Sequence, residues 1–457
     1  MSTAIVGLSR YVLIFFGAMY AFHCFMAFVI GKGSDKNWFY ITQEAFMILF
    51  HMTSFLVLAI TSKNVEIFTL GAFQEVMLIA IIVLYRILYP ECSRLLVNNM
   101  CMLLAIGFVI LTRLDQTKAL KQFFIVAVSL AVTMFIPYLM IRFRELRRYT
   151  YVFGGIGLAA IAAVMVSGAV TNGSKLSWQI AGITFQPSEF VKLLYVVFLA
   201  GMLTEEDEDT GRIMLKPSLQ RLIIGGAAAF AHVAILVFSK DLGSALIFFI
   251  VYVFMLYASV KAPVVLAGGA AAGVVGSLIG YKLFAHVRVR VTAWLDPFKV
   301  IEGQGYQITQ SLFAIGTGSW FGMGLNMGSP NKIPVVEQDF IFAAVSEELG
   351  CIFGICLILI CMSTFLMIIN MAMTANDPYY RLMALGFAVY YAFQILLTVG
   401  GTIKFIPMTG VTLPLVSYGG SSVLSTLIML AIVQGIYLIH DTEGRTVSYE
   451  MRGGYAG

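Results

Sequence analysis

The sequence predicts an all-α, polytopic integral membrane protein, and three observations carry that prediction. Of its 457 residues, 60% are hydrophobic and 12% charged, with a mean hydropathy of +0.90, which no soluble domain of this size matches. The apolar residues gather in repeated runs of about 20, each long enough to cross a bilayer core as a helix. The basic residues gather in short segments between runs, the pattern that sets membrane orientation. The formal net charge of +5 carries no further information, and no nucleic-acid partner is expected.

Apolar runs fall near 11–30, 41–60, 68–89, 96–114, 121–141, 149–169, 189–203, 221–238, 242–258, 262–285, 340–370, 382–401 and 419–440, which makes about thirteen spans. Residues 1–10 lack a signal cleavage pattern, so the first run is expected to remain as a span. The second run is the weakest, because it carries Gln43, Glu44 and His51. Arg142, Arg144, Arg147 and Arg148 follow the fifth run and place that loop in the cytoplasm. Alternation then puts 204–220 inside, with Arg212, Lys216 and Arg221 at its end, and the tail 441–457 inside with Arg445 and Arg452. The acidic stretch Glu205-Glu206-Asp207-Glu208-Asp209 does not oppose this, since acids barely affect the rule. Counting backwards leaves the side of Met1 open. The outer segments are 170–188, 286–339 and 402–418.

Of these, 286–339 is the long one, and long loops in compact folds are usually functional. It mixes Gly303, Gly305, Gly316, Gly318, Gly322, Gly324 and Gly328 with Tyr306, Phe313, Trp320 and Phe321. That suits an amphipathic or re-entrant segment. Cys24, Cys92, Cys101, Cys351, Cys356 and Cys361 show no metal-ligand spacing and read as small buried hydrophobes. The five histidines are scattered, and no metal site is expected. No internal repeat is visible.

Asp339 is the most informative residue. It stands where the long loop meets the apolar run from Phe340, so one carboxylate can face both a water-borne hydroxyl and a lipid-anchored headgroup. Aspartate is also favoured as a helix N-cap, and the two roles are compatible. Glu189 and Lys192 are spaced i, i+3 on an otherwise apolar run. They read equally as a self-neutralising pair or as a substrate contact. Pro187 marks a helix start, with Gln186 near the cap. Asp241 can cap the helix from Leu242. Ser417, Tyr418, Gly419 and Gly420 open the last span with small residues suited to close packing.

Four stretches, in order over about residues 96–440, resemble the RodA/FtsW-like shape, elongation, division and sporulation (SEDS) family. They are Phe185-Gln186-Pro187-Ser188-Glu189 with Lys192, Asp241-Leu242-Gly243-Ser244-Ala245, the set Asp296-Pro297, Gly305-Tyr306-Gln307, Gln310-Ser311, Gln338-Asp339-Phe340 and Glu347-Glu348-Leu349-Gly350, and Leu413-Pro414-Leu415-Val416-Ser417-Tyr418-Gly419-Gly420-Ser421-Ser422. The resemblance implies a ten-helix core over 93–440, preceded by two to three extra transmembrane helices in 1–92 as in some Gram-positive-type relatives, with Arg113-Leu114-Asp115 similar to theirs. It implies a peptidoglycan glycosyltransferase that polymerises lipid II at the outer face of the cytoplasmic membrane for elongation or division. The essential aspartate maps onto Asp339, acting as general base with inversion at the donor carbon. The implied partners are a class B penicillin-binding protein, which supplies transpeptidation, and other elongation or division proteins.

The chain departs from the family pattern at three places: Val335 stands where a glutamate is common, Lys240 where a proline is, and Ser177, before Trp178, where an arginine is. Those changes mark a divergent branch. A diphosphate leaving group needs cationic donors, for which Arg288 and Arg290 are candidates, with Lys332 and Lys404 weaker ones. The two arginines also fit an amphipathic rim on lipid phosphates. Trp178, Gln186, Glu189 and Lys192 complete the substrate-contact candidates. A divalent cation, Mg or Mn, at the diphosphate is compatible with the chemistry, although no ligand cluster demands one. The alternatives are a lipid II flippase and a non-catalytic scaffold. Charge concentrated toward the outer side and the absence of a repeat weigh against the flippase.

Overall fold

Backbone groups in a bilayer must be satisfied internally, so each apolar run forms a helix. The structure is a computed structural model that describes residues 2–30, 34–171, 174–180, 183–207, 209 and 211–453. Glu208 and residues 454–457 of the expected tail lie outside the described residues.

Helices α1 (Ser2–Val29), α2 (Ser34–Ser62) and α3 (Val65–Leu88) come first. They are followed by α4 (Arg94–Leu114), α5 (Gln116–Thr133), its short continuation α6 (Ile136–Arg142) and α7 (Thr150–Ser167). Next come α8 (Pro187–Met202), α9 (Leu219–Phe238), α10 (Leu242–Val260) and α11 (Pro263–Leu283). The long segment holds α12 (Ala285–Leu295) and α13 (Tyr306–Gly318), and α14 (Ile341–Thr374), α15 (Pro378–Thr402) and α16 (Gly420–Gly453) close the chain.

Among the described residues, twelve helices are long and apolar enough to cross a membrane. The chain is a multi-pass membrane protein. The expected thirteenth span, 189–203, is α8. Its 16 residues reach only about 24 Å at 1.5 Å per residue. It is preceded by an antiparallel sheet, β1 (Ala169–Thr171), β2 (Ser174–Ile180) and β3 (Ile183–Phe185), where an outer loop is expected. A second ribbon, β4 (Glu205–Glu206) with β5 (Ile213–Met214), lies at the opposite end.

α4 lies at the centre, and its spanning window is entirely buried. It packs against α2, α3, α5 and α14, so the leading helices are joined to the rest of the bundle. α1 lies against α2 and α14. Inside, Asn99 accepts from Tyr20 Oη at 3.1 Å and donates to Ser363 Oγ at 3.1 Å. Asn98 donates to Gln43 Oε1 at 3.2 Å. Two of the polar residues that weaken the second run are therefore satisfied, Gln43 by Asn98 and Glu44 by Arg86, while His51 faces Glu75 at 2.6 Å.

α14 is not one continuous helix. Gly350 breaks it with φ 88 and ψ 164. The segment after α13 fills the break with its own backbone. Cys351 N donates to Ser319 O at 2.9 Å and Ile352 N to Trp320 O at 3.2 Å. Met323 N and Gly324 N donate to Glu347 O and Glu348 O, both at 2.9 Å. Side chains reinforce this contact. Arg113 of α4 donates to Glu348 Oε1 at 2.9 Å and to Gly328 O at 2.9 Å, and Ser329 N donates to Glu347 Oε1 at 2.8 Å. From the leading helices, Arg10 donates to Gly322 O at 3.1 Å, and Asn326 Nδ2 reaches Thr61 Oγ1 and Ser62 Oγ at 3.3 Å each. The stretch 319–329 of the long segment is thus a fitted insertion, anchored from four helices.

Candidate active site

α8, α10, α14 and α16 all start at the same end of the bundle, with the segment 403–419 threaded between them. Pro187 occupies the first turn of α8, with Gln186 as cap. Gln186 N donates to Ser421 Oγ at 3.1 Å, and its amide to Ser188 Oγ at 3.1 Å. Asp241 caps α10 by accepting from Ser244 N at 3.1 Å, and its other oxygen receives Ser188 Oγ at 3.5 Å. Burial raises the Asp241 carboxyl above its ordinary value. The Ser244 hydrogen bonds oppose this, Glu189 adds to it, and Arg290 opposes it. Before Asp241, Lys240 has φ 65, a conformation that proline cannot take, so this hairpin differs from the family pattern.

Asp339 does not cap its helix. The cap position of α14 is Phe340, without a side-chain bond, which corrects the capping expectation and leaves the carboxylate uncommitted. Its backbone is well tied. Asp339 O accepts from Thr402 Oγ1 at 3.4 Å, Gln338 O from Ser417 Oγ, and Glu337 O from Tyr418 N at 2.8 Å. A Cβ placed on Gly410 would stand 3.7 Å from Asp339 Oδ2 and 4.0 Å from Arg290 Nη2, so carboxylate and guanidinium flank one small space. Burial pushes the Asp339 carboxyl up to about 6, against the pull of Arg290 and with a smaller push from Glu337.

Arg290 is held by carbonyls, not by a carboxylate. Its Nη1 donates to Thr409 O at 2.9 Å and Met408 O at 3.3 Å. That leaves its charge directed at the space beside Asp339. Arg288 is different. It is exposed and donates to Lys282 O at 2.8 Å. The segment is helical, so residues two apart point about 200° from each other, and only one of the two arginines can face the site. This corrects the pairing of Arg288 with Arg290.

Glu189 and Lys192 form a buried pair, Nζ to Oε2 at 2.6 Å, with Lys192 2% exposed. Ser425 Oγ donates to the same Glu189 oxygen at 3.0 Å, and Lys192 Nζ lies 4.7 Å from the Tyr390 ring centroid. Removing one member of a buried pair costs about 3–5 kcal/mol. Lys192→Met is therefore expected to lower the Tm of the purified protein by several degrees, and adding Glu189→Gln should restore most of it. A single variant as stable as wild type would show that the pair holds nothing.

Two further candidates lie apart. Trp178 stacks on Phe185 with centroids 6.3 Å apart and donates to Ser167 Oγ at 3.1 Å, which ties the hairpin to α7. Lys332 lines a separate cavity of about 260 Å³ with Thr317, Ser329 and Glu347. Lys404 presents its carbonyl to Trp294 Nε1 at 3.1 Å. Gly420 opens α16 where a Cβ would stand 3.2 Å from Ile125 of α5, and Gly419 N faces Gln122 Oε1 at 3.4 Å. The sequence reading missed Lys118, whose Nζ meets Glu337 Oε1 at 2.5 Å across 219 residues of chain. It lies in the first turn of a span, and such a position is the one signal that could have singled it out.

A polar cluster at one end of a helical bundle, with a free carboxylate facing a guanidinium, can deprotonate a hydroxyl and hold an anion. A family model described as cell cycle protein, FtsW/RodA/SpoVE, matches residues 93–441, from α4 through the described spanning part of α16. The chain belongs to that family. Among relatives of this FtsW/RodA/SpoVE member, the peptidoglycan glycosyltransferase RodA of Mycobacterium tuberculosis is 33% identical over 366 residues, 76% of this chain and 78% of that one. Stage V sporulation protein E of Bacillus subtilis is 35% identical over 274 residues, 58% of this chain and 71% of that one. A solved chain from work on structural coordination of polymerization and crosslinking by a peptidoglycan synthase complex aligns with TM-score 0.61 and 27% identity, over 77% of this chain and 98% of that chain. The crystal structure of RodA from Thermus thermophilus shares the fold, with TM-score 0.54 and 23% identity over 77% and 97% of the two chains.

Proposed function

We propose that this FtsW/RodA/SpoVE member, a peptidoglycan glycosyltransferase, polymerises lipid II into glycan strands at the outer face of the cytoplasmic membrane, with Asp339 as general base. The observation that carries the reading is the uncapped Asp339 carboxyl, pushed up to about 6 and set across Gly410 from Arg290. A base whose value lies near the working pH combines the correct protonation state with useful basicity.

In this reading Asp339 takes the proton of the acceptor sugar hydroxyl as its oxygen bonds to C1 of the donor. The C1–oxygen bond to the diphosphate breaks on the opposite face, so an α-linked donor gives a β-linkage. The departing diphosphate carries the negative charge, and Arg290 stabilises it. Lys118 keeps Glu337 neutralised beside the base, where an unpaired second carboxylate would push Asp339 higher still. Among the described residues no three His, Cys, Asp or Glu side chains converge to hold a metal ion. Glu337 is paired with Lys118, and no step is assigned to a metal. A class B penicillin-binding protein is the partner this reading calls for. The synthase complex behind the similar structure couples polymerization to crosslinking.

The test is polymerisation of purified lipid II by the purified protein, with and without that partner. Glycan strands are the expected product. Lipid scrambling in vesicles with no polymer would establish a flippase instead, and neither outcome would leave a scaffold. Arg290→Gln is expected to lower polymerisation about 100-fold, the usual cost of losing one donor to developing charge. Loss of that cation also raises Asp339, so the rising limb of the pH profile moves to higher pH. An unmoved limb would place Arg290 outside the site.

A further inference from the structure

The end of the bundle away from Asp339 carries a pocket for which the proposed reaction has no use. α10 runs from Asp241 to its far cap at Lys261, α14 runs down to Thr374, and α15 returns from Pro378. Where these ends meet, Leu215, Ala258, Ile369, Leu382 and Leu385 line a cavity of about 270 Å³. Lys261 and Arg381 stand at its rim, both exposed. No carboxylate lines the cavity, and neither side chain has an ion pair or hydrogen bond among the described residues. Arg147 and Arg221 at this end are matched, by contrast: Arg147 with Glu206 at 3.5 Å, and Arg221 with Glu205 at 3.7 Å.

Two unmatched cations over an apolar floor, at the depth where a helical bundle meets headgroups, are complementary to an anion that carries hydrocarbon. A free phosphate would use the cations and waste the floor. We propose that this pocket binds one anionic phospholipid, with its phosphate at Lys261 and Arg381 and its first acyl carbons on Leu382 and Leu385. Lys261 suits the role because the chain holds it in the left-handed region, φ 58, so its backbone is fixed at the end of α10.

The experiment is native mass spectrometry of the full-length protein in detergent with phosphatidylglycerol, phosphatidylcholine or inorganic phosphate added. Wild type is expected to retain one phosphatidylglycerol and no phosphatidylcholine, and millimolar inorganic phosphate should not displace it. Lys261→Gln with Arg381→Gln should weaken retention about tenfold or more, given the attraction of each basic side chain to an anionic lipid. Leu385→Trp, which fills the floor and leaves the charges, should also weaken it. The same Tm for all variants without lipid confirms that they fold. Undiminished retention by the double variant, equal loss in a Lys63→Gln/Lys282→Gln control, displacement by inorganic phosphate, or a co-purifying peptide in place of the lipid would each overturn the assignment.

Discussion

Asp339→Ala is expected to form no glycan strands from lipid II under conditions in which the wild-type protein does. Loss of a general base removes about 100- to 10,000-fold in rate. The variant should fold normally, because the carboxylate caps no helix. Asp339→Asn keeps the shape and removes the base, so it should be as inactive as the alanine variant. The sign of its effect on stability is also set. Burial raises the folded carboxyl to about 6, so ionised Asp339 opposes folding at neutral pH, and the asparagine variant should have an equal or higher Tm. Wild-type activity should climb with pH through about 6 as the carboxyl loses its proton. Normal polymerisation by Asp339→Ala would remove the base from the mechanism, and a pH-independent rate across that range would remove the titration.

Gly350→Ala is expected to destabilise the protein strongly. At φ 88 and ψ 164 the backbone lies in a region open almost only to glycine, which costs another residue about 1–3 kcal/mol. The added Cβ would stand 2.4 Å from Gly322 N and 2.5 Å from Trp320 O, both backbone atoms. They cannot retreat without breaking the hydrogen bonds that fill the helix break, each worth about 1 kcal/mol net. A total of roughly 3 kcal/mol or more is expected, read as a fall in Tm with new proteolysis in 319–324 and lost polymerisation. Gly280→Ala on α11 has nothing within 4 Å and serves as the neutral control. A Gly350 variant as stable as that control would mean the break is not locked as described.

What was legible in the sequence was local. The start of α8 at Pro187, the Asp241 cap and the Glu189–Lys192 pair depend on neighbours one to four residues away, and spacing reports those directly. The boundary position of Asp339 was readable because hydropathy changes there. Pairings between distant segments were not readable. Lys118 with Glu337 and Arg113 with Glu348 join residues 219 and 235 apart, and nothing in either local sequence names the other. The break at Gly350 was invisible because hydropathy averages over a span and a single glycine in an apolar run does not disturb the mean. Arg288 and Arg290 do not share a face, because residues two apart do so only on a strand and the segment is a helix. Short strands beside a bundle leave no apolar signal, so the hairpin around Trp178 read as a loop.

The hold of the leading helices on 322–326 has a consequence for how this chain can be cut and joined. Arg10 and the Thr61/Ser62 pair supply donors and acceptors to the insertion that seals α14, although they lie before the family-matched region. A hybrid that begins at residue 93 would inherit the Gly322 carbonyl and the Asn326 amide without their counterparts. Prefix and core are not interchangeable modules here, and a transplant between relatives has to carry both ends of that seam.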